Sequence, residues 1–300
     1  MTTPDSQPAL SLLGRLRDNV PQFLKPVEFR AAQTASELKA TLHLAYREYL
    51  KRGYTQPQAS ELKLSIYHAL PQTATFLALY RRTRVIGTIS VVEDSPLGLP
   101  MDEAYRTELD GLRARGRRLA EATMLALDSS LFGRGVFTMF HAKKLLLTLQ
   151  LFKVMFDYLR SSTSVDELVA CFNPKHQILY DFLQMRPLGE LKSYSSANGN
   201  PAIATHLNIA ETQQRAKSHV TYRLFYGKTP SPALFARKLI LSPDDLRELF
   251  VEATSVLACA SPSQLRYLRR CYPTYSFDRI LRSLPRSPLP KPDPQASHRR

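Results

Sequence analysis

Glu121 is the only carboxylate in the apolar run from Leu119 to Leu127. A carboxyl taken out of water resists ionisation, so its pKa climbs toward neutrality, where it accepts protons well. Kept ionised, the same group holds a substrate ammonium. The structural alternative is an internal ion pair with Arg117 or Arg118 just upstream. A second group is Asn173-Pro174-Lys175-His176, with Tyr180 four residues after the histidine. Asn followed by Pro ends a strand and opens a helix, on which His176 and Tyr180 share a face at i and i+4. Taken as residue types alone, Asn173 reads as a helix cap, His176 as a surface residue and Tyr180 as a core aromatic.

The elements that must position these groups follow from periodicity. SELKATLHLAYREYLKRGY reads as a helix, with Ser36 as its N-cap, Leu38, Leu42, Ala45, Tyr46 and Tyr49 on one face, and Gly53 past its end. Two β-rich runs, Thr75 to Tyr80 and Val85 to Val92, form a hairpin signal around a short basic turn. DEAYRTELDGLRARG is a surface helix with Tyr105, Leu109 and Leu112 inward, and RRLAEATMLALD is read as a strand although its propensity favours helix. From His141 to Arg160, Leu145, Leu149, Phe152, Phe156 and Leu159 recur at helical spacing. DELVACF, KHQILYDFLQ, LKSYS and PAIATHLNI then alternate strand, helix, strand, strand. Strands separated by helices define an α/β domain, placed at residues 27–210. Residues 1–26 read as a loose leader, 211–283 as a helical extension with Ser242 and Ser261 as caps, and 284–300 as a disordered basic Pro-rich tail.

The chain has 300 residues, 44% of them apolar and 22% charged, ordinary for a soluble globular protein and ample for one core plus an extension. Its most apolar window, Leu145 to Met155, already holds Gln150 and Lys153, far from the roughly 20 apolar residues a membrane span needs. The first twenty residues lack the basic start and long apolar stretch of a secretory signal, so a cytoplasmic location is expected. Cys171, Cys259 and Cys271 are odd in number and widely spaced, which fits neither a disulfide framework nor a metal site, and Cys171 is read as a small core residue. Forty-one lysines and arginines oppose 26 acidic residues, a net +15 that draws in acidic partners. An acidic carrier protein and peripheral contact with an anionic membrane both satisfy that field. Nucleic acid is not expected, because the basic residues are scattered and no zinc, basic-zipper or RNP pattern occurs.

Five segments, in one order, resemble the FeeM-type N-acyl amino acid synthases. They are YREYLKRGY, VIGTISVVEDSPLGLPMDEAY, ELDGLRARGRRLAEATMLALD, CFNPKHQILYDFLQMRPLGELKSY and NPAIATHLNI. The resemblance covers roughly residues 27–210. It implies a GNAT-like mixed twisted sheet flanked by helices, related to the LuxI-type autoinducer synthases, with the helical extension added after it. It also implies transfer of a long-chain fatty acyl group from an acyl carrier protein thioester to the amine of an amino acid. Acyl-CoA as donor, another small amine as acceptor, and a non-catalytic module that holds acylated carrier protein are the alternatives.

By that resemblance Glu121 lies on the strand that carries a functional Glu in LuxI-type enzymes, but Met124 stands where those enzymes typically have Arg, which argues against homoserine-lactone chemistry. Many GNAT enzymes place a Tyr near the start of the following helix to protonate the leaving sulfur, and an Asn before it to hold the pantetheine arm; Tyr180 and Asn173 match, with His176 as a further substrate-binding residue. The turn that grips the CoA pyrophosphate corresponds to Ser130-Leu-Phe-Gly133-Arg134-Gly135, which keeps the glycines and lacks the leading basic or amide residue. A carrier protein presents one phosphodiester and needs less of that grip. His141, Lys143, Lys144 and Lys153 are the expected docking residues for it. No metal and no permanently bound cofactor is expected; the donor is the acyl-phosphopantetheine of the carrier protein. Leu125, Phe137, Phe140, Phe152 and Phe156 could line an acyl tunnel, but their spacing is equally that of plain core, so no chain-binding site is assigned.

Overall fold

The computed structural model describes residues 24–132, 138–219, 221–228 and 230–282, with the side chains of 138–141 outside the description. The leader and tail read from the sequence therefore fall, over 1–23 and 283–300, outside the described residues.

The chain runs β1 (Val27–Ala31), α1 (Ala35–Leu50), β2 (Ala74–Tyr80), β3 (Arg84–Glu93), α2 (Asp102–Ala114), β4 (Leu119–Leu127), α3 (Thr138–Ser162), β5 (Glu167–Phe172), α4 (Gln177–Phe182), β6 (Arg186–Pro187), β7 (Lys192–Tyr194), β8 (Asn200–Asn208) and α5 (Ile209–Arg215). Three further helices follow: α6 (Pro243–Arg247), α7 (Pro262–Cys271) and α8 (Phe277–Leu281). The strands make an eight-stranded sheet in the order β1-β2-β3-β4-β5-β8-β6, with β7 beside β8. All pairings are antiparallel except β4 with β5, which run parallel. A parallel pair needs a crossover, and α3 supplies it.

Two features of β4 shape the molecule. Its pairing with β5 runs only from Leu119↔Glu167 to Ala122↔Ala170, although β4 continues to Leu127 and β5 to Phe172. Beyond Ala122 the two strands part. At the same place the register with β3 slips by one residue, from Ser90↔Thr123 to Thr88↔Ala126. Met124 takes up the extra residue with φ +59°, a left-handed conformation that costs a non-glycine residue about 1–2 kcal/mol. The bulge reverses the alternation of faces. Ala120 and Ala122 pack with Leu127 against α3, whereas Met124 and Ala126 pack against α1.

Helices cover both faces. On one, Leu149, Phe152, Phe156 and Leu159 of α3 are buried as their spacing predicts, over Phe76, Ala122 and Ala170. On the other, Tyr105, Leu109 and Leu112 of α2 cover Leu119 and Val169. Beside them Leu38 and Leu42 of α1 join Leu246, Phe250 and Leu268 of the C-terminal helices over Met124 and Ala126. The C-terminal segment thus seals the bulged half of β4. Ser242 and Ser261 cap α6 and α7 through reciprocal capping boxes, as the sequence indicates. The first helix departs from expectation. Thr34, not Ser36, is its N-cap, accepting from the Glu37 N–H, because β1 ends only three residues earlier and the helix starts at once.

Candidate active site

The parting of β4 from β5 sets the geometry. Glu121 lies on β4 one residue before the last paired position, opposite Val169 of β5. Only 2% of its surface is exposed. One carboxylate oxygen accepts from the Met101 N–H at the head of α2, at 2.8 Å. Burial pushes the carboxyl up to about 8; the Met101 N–H opposes this and the nearby Asp102 adds to it. The ion-pair alternative does not hold. Arg117 reaches Glu167 and Glu211, at 3.9 and 3.5 Å, and Arg118 reaches Asp166 at 3.4 Å.

Around Glu121 the fold gathers side chains that sequence reasoning did not connect with it. Tyr49 from the end of α1, Tyr67 from the segment before β2, Tyr194 of β7 and Cys171 of β5 all feel its charge. Burial is the main cause that raises the acid pKa of each, and the Glu121 charge adds to it, in Tyr49 as the smallest contribution; Tyr67 reaches about 12. Yet all four remain half-exposed, as does Thr123 beside the bulge. The buried Glu121 thus lies among groups that are themselves only partly buried. Cys171 keeps the core contact expected of it, packing against the α2-side cluster and pairing with Ala204 of β8, but it is only partly buried, one residue past the last β4–β5 pair.

Tyr180 approaches from the opposite face. Its ring stacks on Phe172 at 3.6 Å and meets Phe152 edge-on at 6.2 Å, so its body belongs to the α3-side core. Burial raises its hydroxyl, with Tyr49 and Cys171 contributing, which brings the phenol close to both. Tyr49 thus neighbours Glu121 on one side and Tyr180 on the other, across the split in the sheet. Asn173 caps the turn before α4 by accepting from the Lys175 N–H at 3.3 Å.

His176 joins a cationic group on the rim. Partial burial, with Lys175, Lys144 and Arg52 nearby, pushes its imidazole down to about 4, so the ring is neutral at pH 7. Lys175 sits over the Tyr54 ring at 4.9 Å. Arg52 is held by Glu48 at 2.9 Å, a carboxylate with no exposed surface. Of the expected docking residues, Lys144 belongs to this group. Lys153 instead pairs with Asp157 on its own helix, at 2.6 Å. Lys143 is half-buried on α3, and the His141 side chain lies outside the described residues. So do Gly133, Arg134 and Gly135 of the glycine turn, Phe137 and the Phe140 side chain. Phe152 and Phe156 are fully buried core residues. Among the described residues no group of three or more His, Cys, Asp or Glu could hold a metal.

A mixed sheet split between its parallel central strands and bulged beside a buried carboxylate is a GNAT-like fold, and the family match makes the protein an acyltransferase. The family profile of the N-acyl amino acid synthase FeeM matches residues 40–208, more than half of the chain, and the chain belongs to that family. Among solved structures, FeeM, an N-acyl amino acid synthase from uncultured soil microbes, is 29% identical with a TM-score of 0.52, covering 63% of this chain and 93% of that one. The acyl-homoserine lactone synthase LasI is 15% identical with a TM-score of 0.48, covering 68% and 95%. Ribosomal-protein-S5-alanine acetyltransferase from Vibrio fischeri is 15% identical with a TM-score of 0.41, covering 61% and 93%. No curated protein matches the chain.

Proposed function

We propose that this acyltransferase moves a long-chain fatty acyl group from an acyl carrier protein thioester to the amine of an amino acid, giving an N-acyl amino acid. The observation that carries the reading is the gap where β4 leaves β5, with Glu121 at its side. A pantetheine arm is narrow and extended, and the unpaired edges of two parting strands offer it backbone partners. The cationic rim of Arg52, Lys144 and Lys175 suits the phosphodiester of that arm and the acidic surface of a carrier. Family membership supports the amino acid acceptor.

Each group has a task that its environment favours. The acceptor arrives as an ammonium and must lose a proton before it can attack. The α-ammonium of a free amino acid is a far weaker acid than an ordinary carboxyl, and burial, by raising Glu121 to about 8, brings the two closer and lowers the cost of the transfer. The neutral amine attacks the thioester carbon, and its carbonyl oxygen becomes an oxyanion. Arg118 turns its carbonyl toward β5 and Leu119 toward β3. Alternation then aims the Met124 N–H at the side where β5 has peeled away, where it can stabilise that oxyanion. The C–S bond breaks as the amide forms. Tyr180, kept neutral by burial, offers its O–H to the departing thiolate. Of the two protons lost by nitrogen, one ends on the thiol and one leaves for solvent through Glu121.

The test is mass spectrometry of lipids from a bacterial host expressing the chain, beside hosts expressing Glu121→Gln and Tyr180→Phe. New N-acyl amino acids are expected with the native chain, reduced at least about 100-fold with Glu121→Gln and by a smaller factor with Tyr180→Phe. Purified enzyme given acyl carrier protein and acyl-CoA side by side identifies the donor. Turnover with acyl-CoA alone would overturn the carrier reading.

A further inference from the structure

We propose that a second site, an arginine-lined cavity at the foot of β4 and β5, binds a ligand through a phosphate group. The cavity encloses about 80 Å³. It lies at the end of the sheet opposite the gap: Arg117 precedes β4, and Glu167 is the first residue of β5. Leu112, which lines it, packs in one buried cluster with Leu119 and with Val169, the residue paired to Glu121. It is thus a separate place from the proposed reaction centre and does not depend on that reading.

Its charge is unbalanced. Arg115, Arg117, Arg186 and Arg215 line it, against two carboxylates, Glu167 and Glu211. Both carboxylates are already engaged. Glu167, barely exposed, bonds His206 Nδ1 at 2.6 Å and Asn208 Nδ2 at 3.0 Å, with Arg117 at 3.9 Å. Glu211 faces Arg117 at 3.5 Å. Among the described residues Arg215 bonds only neutral oxygens, the Gln184 carbonyl and the Thr212 hydroxyl, each at 3.2 Å. Arg115 and Arg186 have no carboxylate partner among the described residues. Three guanidiniums therefore converge without counter-charge, one from the end of α2, one from β6 and one from α5.

These side chains are exposed, so water screens much of their repulsion, but their combined field still favours an anion at the cavity. Planar guanidinium forks match the several oxygens of a phosphoryl group, and a dianion neutralises the surplus of two positive charges. The cavity opens to solvent, so a ligand held by its phosphoryl group can project its remainder outward. A soluble phosphomonoester and a phosphomonoester lipid headgroup share this chemistry.

The experiment uses the full chain, with Arg186→Gln/Arg215→Gln as the test variant; both side chains are exposed, so folding should survive. Arg279→Gln, exposed and remote, controls for lost charge. Ten millimolar inorganic phosphate should raise the melting temperature by about 2–4 °C over sodium chloride of equal ionic strength if the site binds at millimolar strength. The double variant should lose that shift, and Arg279→Gln should keep it. In parallel, flotation with phosphatidylcholine vesicles containing phosphatidic acid is compared with phosphatidylcholine alone. An arginine-dependent phosphate shift identifies a soluble ligand. Arginine-dependent flotation without the shift identifies a lipid headgroup. Neither response, or a response the double variant retains, overturns the site.

Discussion

With burial holding Glu121 near 8, only about a tenth of the molecules carry it ionised at pH 7. Proton acceptance needs the ionised form, so kcat/KM should climb as pH rises through about 8; a log-rate profile should bend there in the native enzyme, whereas Glu121→Gln should rise only with the ionisation of the amine itself. Stability should move the other way. Folding raises this carboxyl above its ordinary value, so the folded state holds a proton that the unfolded chain has released between about 4.5 and 8. The stabilisation is complete below the lower value and is lost as pH rises through the upper one. Glutamine carries no such penalty. Glu121→Gln should therefore be more stable than the native chain at pH 9 and converge with it near pH 5, by a difference on the order of 4 kcal/mol in urea titrations. A gap that stayed constant with pH would mean that the carboxyl is not desolvated in the fold.

The split in the sheet and the bulge in β4 work as one element. Pairing ends at Ala122, Met124 inverts its backbone, and the following residues pack on the opposite faces from those the alternation began with. In an ordinary strand glycine is worse than alanine, by about 0.5–1 kcal/mol. At Met124 the order should reverse. Met124→Ala loses the packing and keeps the left-handed strain, whereas Met124→Gly loses the same packing and relieves it. The glycine variant should be the more stable by about 1 kcal/mol, read from paired denaturation curves. Nothing in RRLAEATMLALD announces this inversion, since no glycine or asparagine marks the place. The strand itself was legible despite its helix-leaning composition; its irregularity was not, because that depends on β3, β5 and α1 competing for it.

Across the molecule, the net charge of +15 acts at a distance and the rim acts locally. If an acidic carrier is steered to Lys144 and Lys175, Lys144→Glu/Lys175→Glu should raise KM for acyl carrier protein about tenfold or more and leave kcat nearly unchanged. The native enzyme should lose kcat/KM steeply as salt rises from 50 to 300 mM, and the variant far less. Equal salt slopes for the two would place carrier docking elsewhere. The C-terminal helices bear on the same site from behind, since Leu246, Phe250 and Leu268 pack with Met124 and Ala126. Their segment reads as helical from its caps, yet what it covers could not be read, because amphipathic spacing gives a face and not a partner.

The sequence by itself determined what short-range physics encodes: the strand bearing a solitary carboxylate, the helices with their Ser242 and Ser261 caps, the excess of positive charge, and the order of segments shared with a family. Only the tertiary structure decided that β5 parts from β4 after Ala122, that Cys171 is only partly buried beside that point, and that Tyr49, Tyr67 and Tyr194 lie near Glu121. Those tyrosines come from a helix end, a connecting segment and a short edge strand, more than 140 residues apart at the extremes. Periodicity reports which side of an element is apolar. Which distant elements converge is set by sheet order and by the bulge, and these are resolved only when the whole core packs.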